Sequence, residues 1–272
     1  MAKIAFTADL HYGKTSPAAV ERLVLALRKQ KPDAVVIAGD VGTPLHNFGA
    51  CLSHFHSFKC PIGVVAGNHD VWSSGTSSDY SSQTLFETLL PQTVREYGFK
   101  WLEEDNIILK DGTAIAGSIA WYDYSLRLPH SSARHWSQQQ FADAKPSFHN
   151  DARYINWSYT DPEFSQKVCS ALLGRVAKLQ KNLKIKRIVV ATHVPIFAKQ
   201  VIADNGIIAA FFGQVTLGKA LRKFPKLIAV VSGHTHRGVA PFQIKRQNMK
   251  PITAMTLNAD YGSPEAHGIE LK

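Results

Sequence analysis

The chain has 272 residues, 45% of them hydrophobic, which is enough to bury a sizeable core. Lysine and arginine outnumber aspartate and glutamate 31 to 21, and the formal charge of +10 favours anionic partners such as phosphate esters, nucleotides or nucleic acid. No apolar run approaches the roughly 18–20 residues of a membrane span, the N-terminal "MAKIAFTADL" is no signal peptide, and Cys51, Cys60 and Cys169 form no CxxC pair, so a cytoplasmic setting with no membrane is expected.

In chain order, "KIAFTADLH" begins as a buried strand through Ile4, Ala5 and Phe6 and then turns polar. Ser16 and Pro17 open a helix as N-cap and first-turn proline. Val20, Leu23, Val24 and Leu27 then recur at helical spacing. "DAVVIAGD" and "CPIGVVAGNHD" repeat one form, an apolar strand, a glycine and polar residues. Residues 81–97 read as helical and "TAIAGSIAW" as a strand. Residues 121–160 are rich in aromatics, histidine and arginine and have little periodicity. Asp161, Pro162 and Glu163 open another helix, with Phe164, Val168, Leu172, Val176 and Leu179 down one face. "RIVVATHVP" and "LIAVVSGHTH" are strands running into loops, residues 215–224 read as a helix, and short strands follow. The alternation predicts βαβ units and a largely parallel sheet. One domain over residues 1–272 is expected, with an aromatic-rich insertion or cap around 119–160.

Five times an apolar strand ends and a residue able to bind metal follows at once. The carboxyl ends of parallel strands share one edge, where ligands bind. Asp9 and His11, two apart in a segment read as extended, point the same way. Asp40 follows Gly39, Asn68 and His69 follow Gly67, His193 ends its strand, and His234 and His236 follow Gly233. Each piece alone has an ordinary reading as turn chemistry or a surface imidazole. Together they are carboxylate, amide-oxygen and imidazole ligands for hard to borderline divalent ions. The seven ligands Asp9, His11, Asp40, Asn68, His193, His234 and His236 exceed one zinc-like site and suit two ions sharing a carboxylate.

The series "DLH", "GDVG", "GNHD", "THVP" and "GHTH" resembles the calcineurin-like metallophosphoesterase superfamily, in order, over residues 9 to 236. The resemblance implies an α/β fold, a two-sheet β-sandwich flanked by helices (αββα), with the metal site at the strand C-terminal ends. It implies Asp9, His11, Asp40 and His236 on one ion, Asp40, Asn68, His193 and His234 on the other, and Asp40 between them. His69 would sit beside the phosphate, stabilising charge or protonating the leaving oxygen. The implied chemistry is metal-dependent hydrolysis of phosphate esters by a metal-bound hydroxide. A water bound at such a centre can fall from a pKa of about 15.7 to near 7. The two divalent or mixed-valence ions could be Mn, Fe, Zn, Ni, Co or Mg, since O/N ligands do not select among them.

The substrate reading is a phosphodiesterase or small-molecule phosphatase. A DNA- or RNA-processing nuclease of the same superfamily stands as an alternative, with the basic charge compatible. A non-catalytic metal-binding scaffold is the third reading, although this chain keeps every ligand and His69. "GDVGTPL" lacks the second Asp and the Arg that protein Ser/Thr phosphatases of the superfamily carry, and Asp70 stands where they have Glu. That leaves the acidic partner of His69 open, Asp70 or another acid. Arg237 either reaches a bound phosphate or is a surface arginine. Trp121, Tyr122, Tyr124, Trp136, Tyr154 and Trp157 either line a substrate pocket, with Tyr122 in contact, or form the core of the insertion. His54 and His56 would diverge on a helix, and His46, His130, His135, His149 and His267 have no partner pattern. No G-x-S-x-G elbow, P-loop or H-E-x-x-H occurs.

Overall fold

The computed structural model describes residues 2–73, 80–203 and 205–271. Among these the strands, in chain order, are β1 (Ala2–Thr7), β2 (Ala34–Ala38), β3 (Ile62–Val65), β4 (Lys100–Trp101), β5 (Ile107–Ile108), β6 (Thr113–Ser118), β7 (Arg187–Thr192), β8 (Leu227–Ser232), β9 (Val239–Arg246), β10 (Met249–Thr256), β11 (Ala259–Asp260), β12 (Ser263–Pro264) and β13 (His267–Leu271). One sheet runs β13-β1-β2-β3-β4 and the other β5-β6-β7-β8-β10-β9, with β11 and β12 a separate pair. The chain segments that carry the ligand motifs are parallel within each sheet: β1, β2 and β3 in the first, β7 and β8 in the second.

β2, β3, β7 and β8 are apolar on both faces because both faces are covered. Ile4, Phe6, Val36, Ala38 and Val65 of the first sheet meet Ile115, Val189, Ala191 and Val231 of the second in one buried layer. The alternate residues Ala5, Val35, Ile37 and Val64 turn outward and pack with Val20, Leu23 and Leu27 of helix Pro17–Lys29. Ala116, Ile188, Val190 and Val230 turn the opposite way, onto Leu172, Val176 and Leu179 of helix Asp161–Lys181. The period-2 alternation of the strands thus produces a sandwich of two sheets with helices outside.

The helix starts are as the sequence reads them. Ser16 Oγ accepts from the Ala19 amide at 3.3 Å, and Thr160 and Glu163 close a capping box around Asp161 and Pro162. Residues 82–96 are helical throughout, with a π-type turn at Leu85–Leu89 just before Pro91, which has no N–H for an ordinary turn. The segment of weak periodicity holds two helices that the pattern did not announce, Gln138–Phe148 and Asp151–Tyr154. The first starts on a Ser137–Gln140 capping box and buries only Phe141 and Lys145, too few residues to give a hydrophobic stripe. Trp121, Tyr122 and Tyr124 are fully buried and join the same core as Val35 and Ile37. The Asp161 carboxylate receives the Trp121 indole at 2.7 Å, the Tyr124 hydroxyl and the Lys145 ammonium at 2.7 and 2.9 Å. Among the described residues no helix is long and apolar enough to cross a membrane, and all three cysteines are free.

Candidate metal centre

The loops after β1, β2, β3, β7 and β8 emerge at one edge, and backbone bonds stitch the first to the second and the fourth to the fifth. The Asp9 amide donates to the Gly39 carbonyl at 3.0 Å, His11 to Asp40 at 2.8 Å, and Gly233 to His193 at 3.0 Å. Asp9 and His11 are not extended: their φ values are 55° and 43°. Asp40 (53°), His234 (75°) and His236 (56°) share the left-handed region. Five of the seven expected ligands therefore hold a conformation that costs a non-glycine residue roughly 1–2 kcal/mol each. Such residues persist where the surroundings over-determine them, and they cluster at functional sites. The glycines of the motifs make room. A Cβ on Gly67 would lie 2.0 Å from Asp40 Oδ1, and one on Gly39, itself at φ +91°, 2.4 Å from His193 Nδ1.

The seven side chains fall into two sets that share Asp40. Ligand atoms of Asp9, His11, Asp40 and His236 lie within 4.8 Å of one another. His11 Nε2 is 3.5 Å from Asp40 Oδ2 and 3.1 Å from His236 Nε2. On the other side Asp40 Oδ1 is 3.5 Å from His193 Nε2. His193 Nε2, His234 Nδ1 and Asn68 Oδ1 stand 3.0 to 3.2 Å apart as a triangle.

The hydrogen bonds behind the rings decide what faces inward. His193 Nδ1 is 3.0 Å from the Ala38 carbonyl, His234 Nε2 3.2 Å from that of Phe211, and His236 Nδ1 3.0 Å from that of Ala259. A carbonyl only accepts, so each of these nitrogens carries the ring proton and the opposite nitrogen presents a lone pair. Asn68 gives its Nδ2 to Asp151 at 2.9 Å, which turns its oxygen inward. His193, His234 and Asn68 thus converge three lone pairs with no proton among them. A cation is what such an arrangement accommodates.

The electrostatics agree. Burial pushes the Asp9 carboxyl up to about 8, against the His234 amide bond and with the Asp70 charge adding to it. Burial, then the charges of Asp70 and Asp9, hold Asp40 well above the usual carboxylate range. Burial lowers His193 to about 4, and burial with the neighbouring imidazoles lowers His11 to about 2. The imidazoles are neutral, as ligands must be, and the carboxylates lack a counter-charge that divalent ions would supply. The donor set fits metal.

His69 lies beside the shared carboxylate, with Nε2 3.9 Å from Asp40 Oδ2 and its backbone amide donating to Asp40 Oδ1 at 2.9 Å. Asp70 is not its partner. Both Asp70 oxygens are taken by backbone amides, Gly42 at 3.0 Å and Gly67 at 2.8 Å, so Asp70 pins the two ligand loops together. His69 rests instead on the Trp72 ring, centroids 3.6 Å apart, and Trp72 on Tyr154 at 4.4 Å.

A cavity of about 460 Å³ opens over Asp40, Asn68, His69, His234 and His236. Its walls carry Lys14, Trp72, Phe148, His149, Arg153, Tyr154, Phe212 and Tyr261. Tyr122, expected at the substrate, stands behind this wall: it is fully buried and donates its hydroxyl to Asp151 at 2.9 Å. Arg237 is exposed and does not line the cavity, and of the six aromatics singled out in the sequence only Tyr154 does. His149, which had no partner pattern, lines it and places Nδ1 3.3 Å from Asp151 Oδ2. Asp151 is the residue that the sequence hid most completely. Burial opposes its charge, yet His149, Lys145 and Asn68 hold its carboxyl well below the usual range. His54 and His56 lie beyond helix Leu45–Ser53, with His54 against Tyr12 and His56 on the Ser53 carbonyl.

Residues 2–238 match the family model described as calcineurin-like phosphoesterase. The comparison with curated proteins gave no match. Among solved structures, a phosphopantetheinyl hydrolase from Mycobacterium tuberculosis aligns at TM-score 0.74 with 17% identity, over 96% of this chain and 91% of that one. A dimetal phosphatase from Danio rerio aligns at TM-score 0.55 with 14% identity, over 94% and 87%. The TT1561 protein of Thermus thermophilus aligns at 0.56 with 10% identity, over 96% and 90%. At these identities the likeness is one of fold.

Proposed function

The chain belongs to the calcineurin-like phosphoesterase family and is a phosphoric ester hydrolase, and on that premise we propose that it hydrolyses small phosphate esters, as a phosphodiesterase or small-molecule phosphatase, with two divalent ions. Asp9, His11, Asp40 and His236 would hold the first ion, Asp40, Asn68, His193 and His234 the second. The observation that carries this reading is the proton-free triangle of His193, His234 and Asn68, joined through Asp40 to the second group of ligands. When bound, a metal pair supplies a nucleophile at neutral pH and offsets charge on the phosphoryl oxygens.

The chain's own residues do the rest. Asp40 presents one oxygen to each ligand set and holds the His69 loop through its amide. His69, at the rim of the carboxylate cluster, is in reach of a phosphoryl or leaving oxygen in the cavity, where an imidazole can donate a hydrogen bond or a proton. Lys14 and Arg153 set positive charge at the cavity mouth, suited to an anionic ester. The cavity volume falls within the roughly 300–1,000 Å³ of small-ligand sites, which favours a small ester over duplex DNA. We read residues 1–272 as one domain, with residues around 119–160 as the cap that narrows the site. A cytoplasmic setting agrees with the three free cysteines.

The test is metal-reconstituted enzyme on bis-p-nitrophenyl phosphate, the corresponding monoester, plasmid and single-stranded DNA. A phosphopantetheinyl ester belongs in the panel because of the fold likeness to the mycobacterial hydrolase. Turnover of the small esters with little cutting of DNA is expected. Preferential cutting of DNA would replace this reading with the nuclease, and no turnover with any of Mn, Fe, Zn, Ni, Co or Mg would replace it with the scaffold.

A further inference from the structure

Asp151 lies in helix Asp151–Tyr154, 83 residues after Asn68 in the chain, and is fully buried. Its Oδ1 accepts two N–H groups, from Asn68 Nδ2 at 2.9 Å and from Trp72 Nε1 at 2.7 Å. Its Oδ2 accepts the Tyr122 hydroxyl at 2.9 Å. The two ends of an Asn side chain are alike in size and opposite in hydrogen bonding. Turned over, Asn68 would aim an NH₂ group at His193 and His234 and could not serve as a ligand. An acceptor behind it forbids that orientation. The same oxygen fixes the Trp72 indole, and the Trp72 ring is what His69 stacks on, with Tyr154 backing it.

We propose that Asp151 is a positioning residue for the reaction: through one carboxylate oxygen it orients Asn68 toward the second ion and locks the Trp72 ring that holds His69. This rests on reading Asn68 as a ligand and His69 as the group beside the phosphate. It gives the cap a defined job, since Asp151 reaches Asn68 and Trp72, and Tyr154 backs the Trp72 ring on which His69 rests. It also explains how His69 is held with Asp70 committed elsewhere.

The test compares wild type, Asp151→Ala, Asp151→Asn and Trp72→Phe. Three measurements are made: ions retained per chain after dialysis, steady-state kinetics (kcat and KM) on an aryl phosphate ester, and the ¹H–¹⁵N indole resonance of Trp72 in the metal-free protein, assigned through Trp72→Phe. Folded Asp151→Ala should keep the first ion, bind the second about 10–100-fold more weakly, shift the Trp72 resonance and lose kcat. Asp151→Asn should restore the second ion, because its side-chain oxygen can still accept from Asn68 and Trp72 while the Tyr122 hydroxyl turns to accept from the new NH₂. Trp72→Phe should keep both ions and KM but lose kcat several-fold, because the stacked ring is no longer anchored. A folded Asp151→Ala with wild-type affinity for both ions and an unmoved Trp72 resonance overturns the proposal. So does a folded Asp151→Asn that fails to regain the second ion. If Asp151→Ala does not fold, Trp72→Phe decides, and a wild-type kcat overturns the proposal. Failure of the underlying reading looks different. Wild type would then bind no ions or hydrolyse no ester, while the metal-free Trp72 resonance still reports on Asp151.

Discussion

His193 Nε2 and His234 Nδ1 lie 3.2 Å apart with no proton between them, because each ring has given its N–H to a backbone carbonyl. The carbonyls belong to Ala38, at the end of a strand in the first sheet, and to Phe211, in the helix Gly206–Phe212. The facing lone pairs are therefore held by the fold and not chosen by the rings.

Asp40 is the side chain that the two ligand sets share, so Asp40→Asn should weaken both ions. Asparagine tolerates the left-handed backbone at this position (φ 53°), and its oxygen can still accept from the His69 amide. The fold should survive while the lost charge is felt twice, with each affinity down at least about tenfold. Elemental analysis after dialysis checks this, and two tightly held ions in the variant would rule out the shared carboxylate.

His69→Ala removes a ring that lies beside the ligand sets but belongs to neither. Both ions should stay, and kcat should fall by about 10²–10⁴, most on esters with poor leaving groups. Unchanged turnover of an alkyl ester would exclude the role assigned to His69.

Metal-free protein should lose stability as pH rises from about 6.5 to 8. Burial pushes Asp9 up to about 8 and Asp70 and Glu103 up to about 7, above their unfolded values. These groups bind protons better when folded, so their contribution is present at low pH and lost as pH climbs through those values. His11 and His193, lowered to about 2 and about 4, and His69, His234 and His236, also lowered by burial, act oppositely, mainly below their unfolded value of 6.5. Above that pH the unfolded imidazoles have at most half a proton each left to lose, and the raised carboxyls, Asp40 among them, outweigh them. Thermal melts in chelator should show a lower Tm at pH 8 than at pH 6.5, and bound metal should flatten the difference. A Tm that rises over this range would contradict the assignment.

Gly39→Ala should damage the second ion site more than the first. The new methyl would sit 2.4 Å from His193 Nδ1, on a backbone at φ +91°. Strain of this kind costs roughly 1–3 kcal/mol, and the His193 bond to Ala38 is what it would disturb. A lower Tm with one ion retained is the expected result. Two ions at wild-type affinity would mean that the ring has room to move.

The parallel strands and the seven candidate ligands at their ends were legible in the chain for a local reason, while the pairing of two sheets came only through the family resemblance. Each ligand follows directly on an apolar strand, and β1, β2, β3, β7 and β8 are too apolar to be anything but buried. Other features were not legible. Asp9 and His11 read as extended, yet bonds to Gly39 and Asp40 from the neighbouring loop bend them into the left-handed region. Asp70 looked like a partner for His69 by adjacency, and its carboxylate turned to the Gly42 and Gly67 amides. Tyr122 read as a substrate contact and became a donor behind the wall. Helix Gln138–Phe148 was missed because a polar helix with two buried residues leaves no periodic trace.

What the sequence determined by itself was which residues arrive at the strand ends, since strand burial and parallel pairing follow from local pattern. What only the tertiary structure decided was which nitrogen of His193, His234 and His236 faces inward, which end of Asn68 does so, and what holds His69. Those choices depend on Ala38, Phe211, Ala259, Asp151 and Trp72, acceptors and rings of ordinary type. All but Trp72 lie far along the chain from the residue they orient, and the packing of the two sheets and the cap brings them within hydrogen-bond distance.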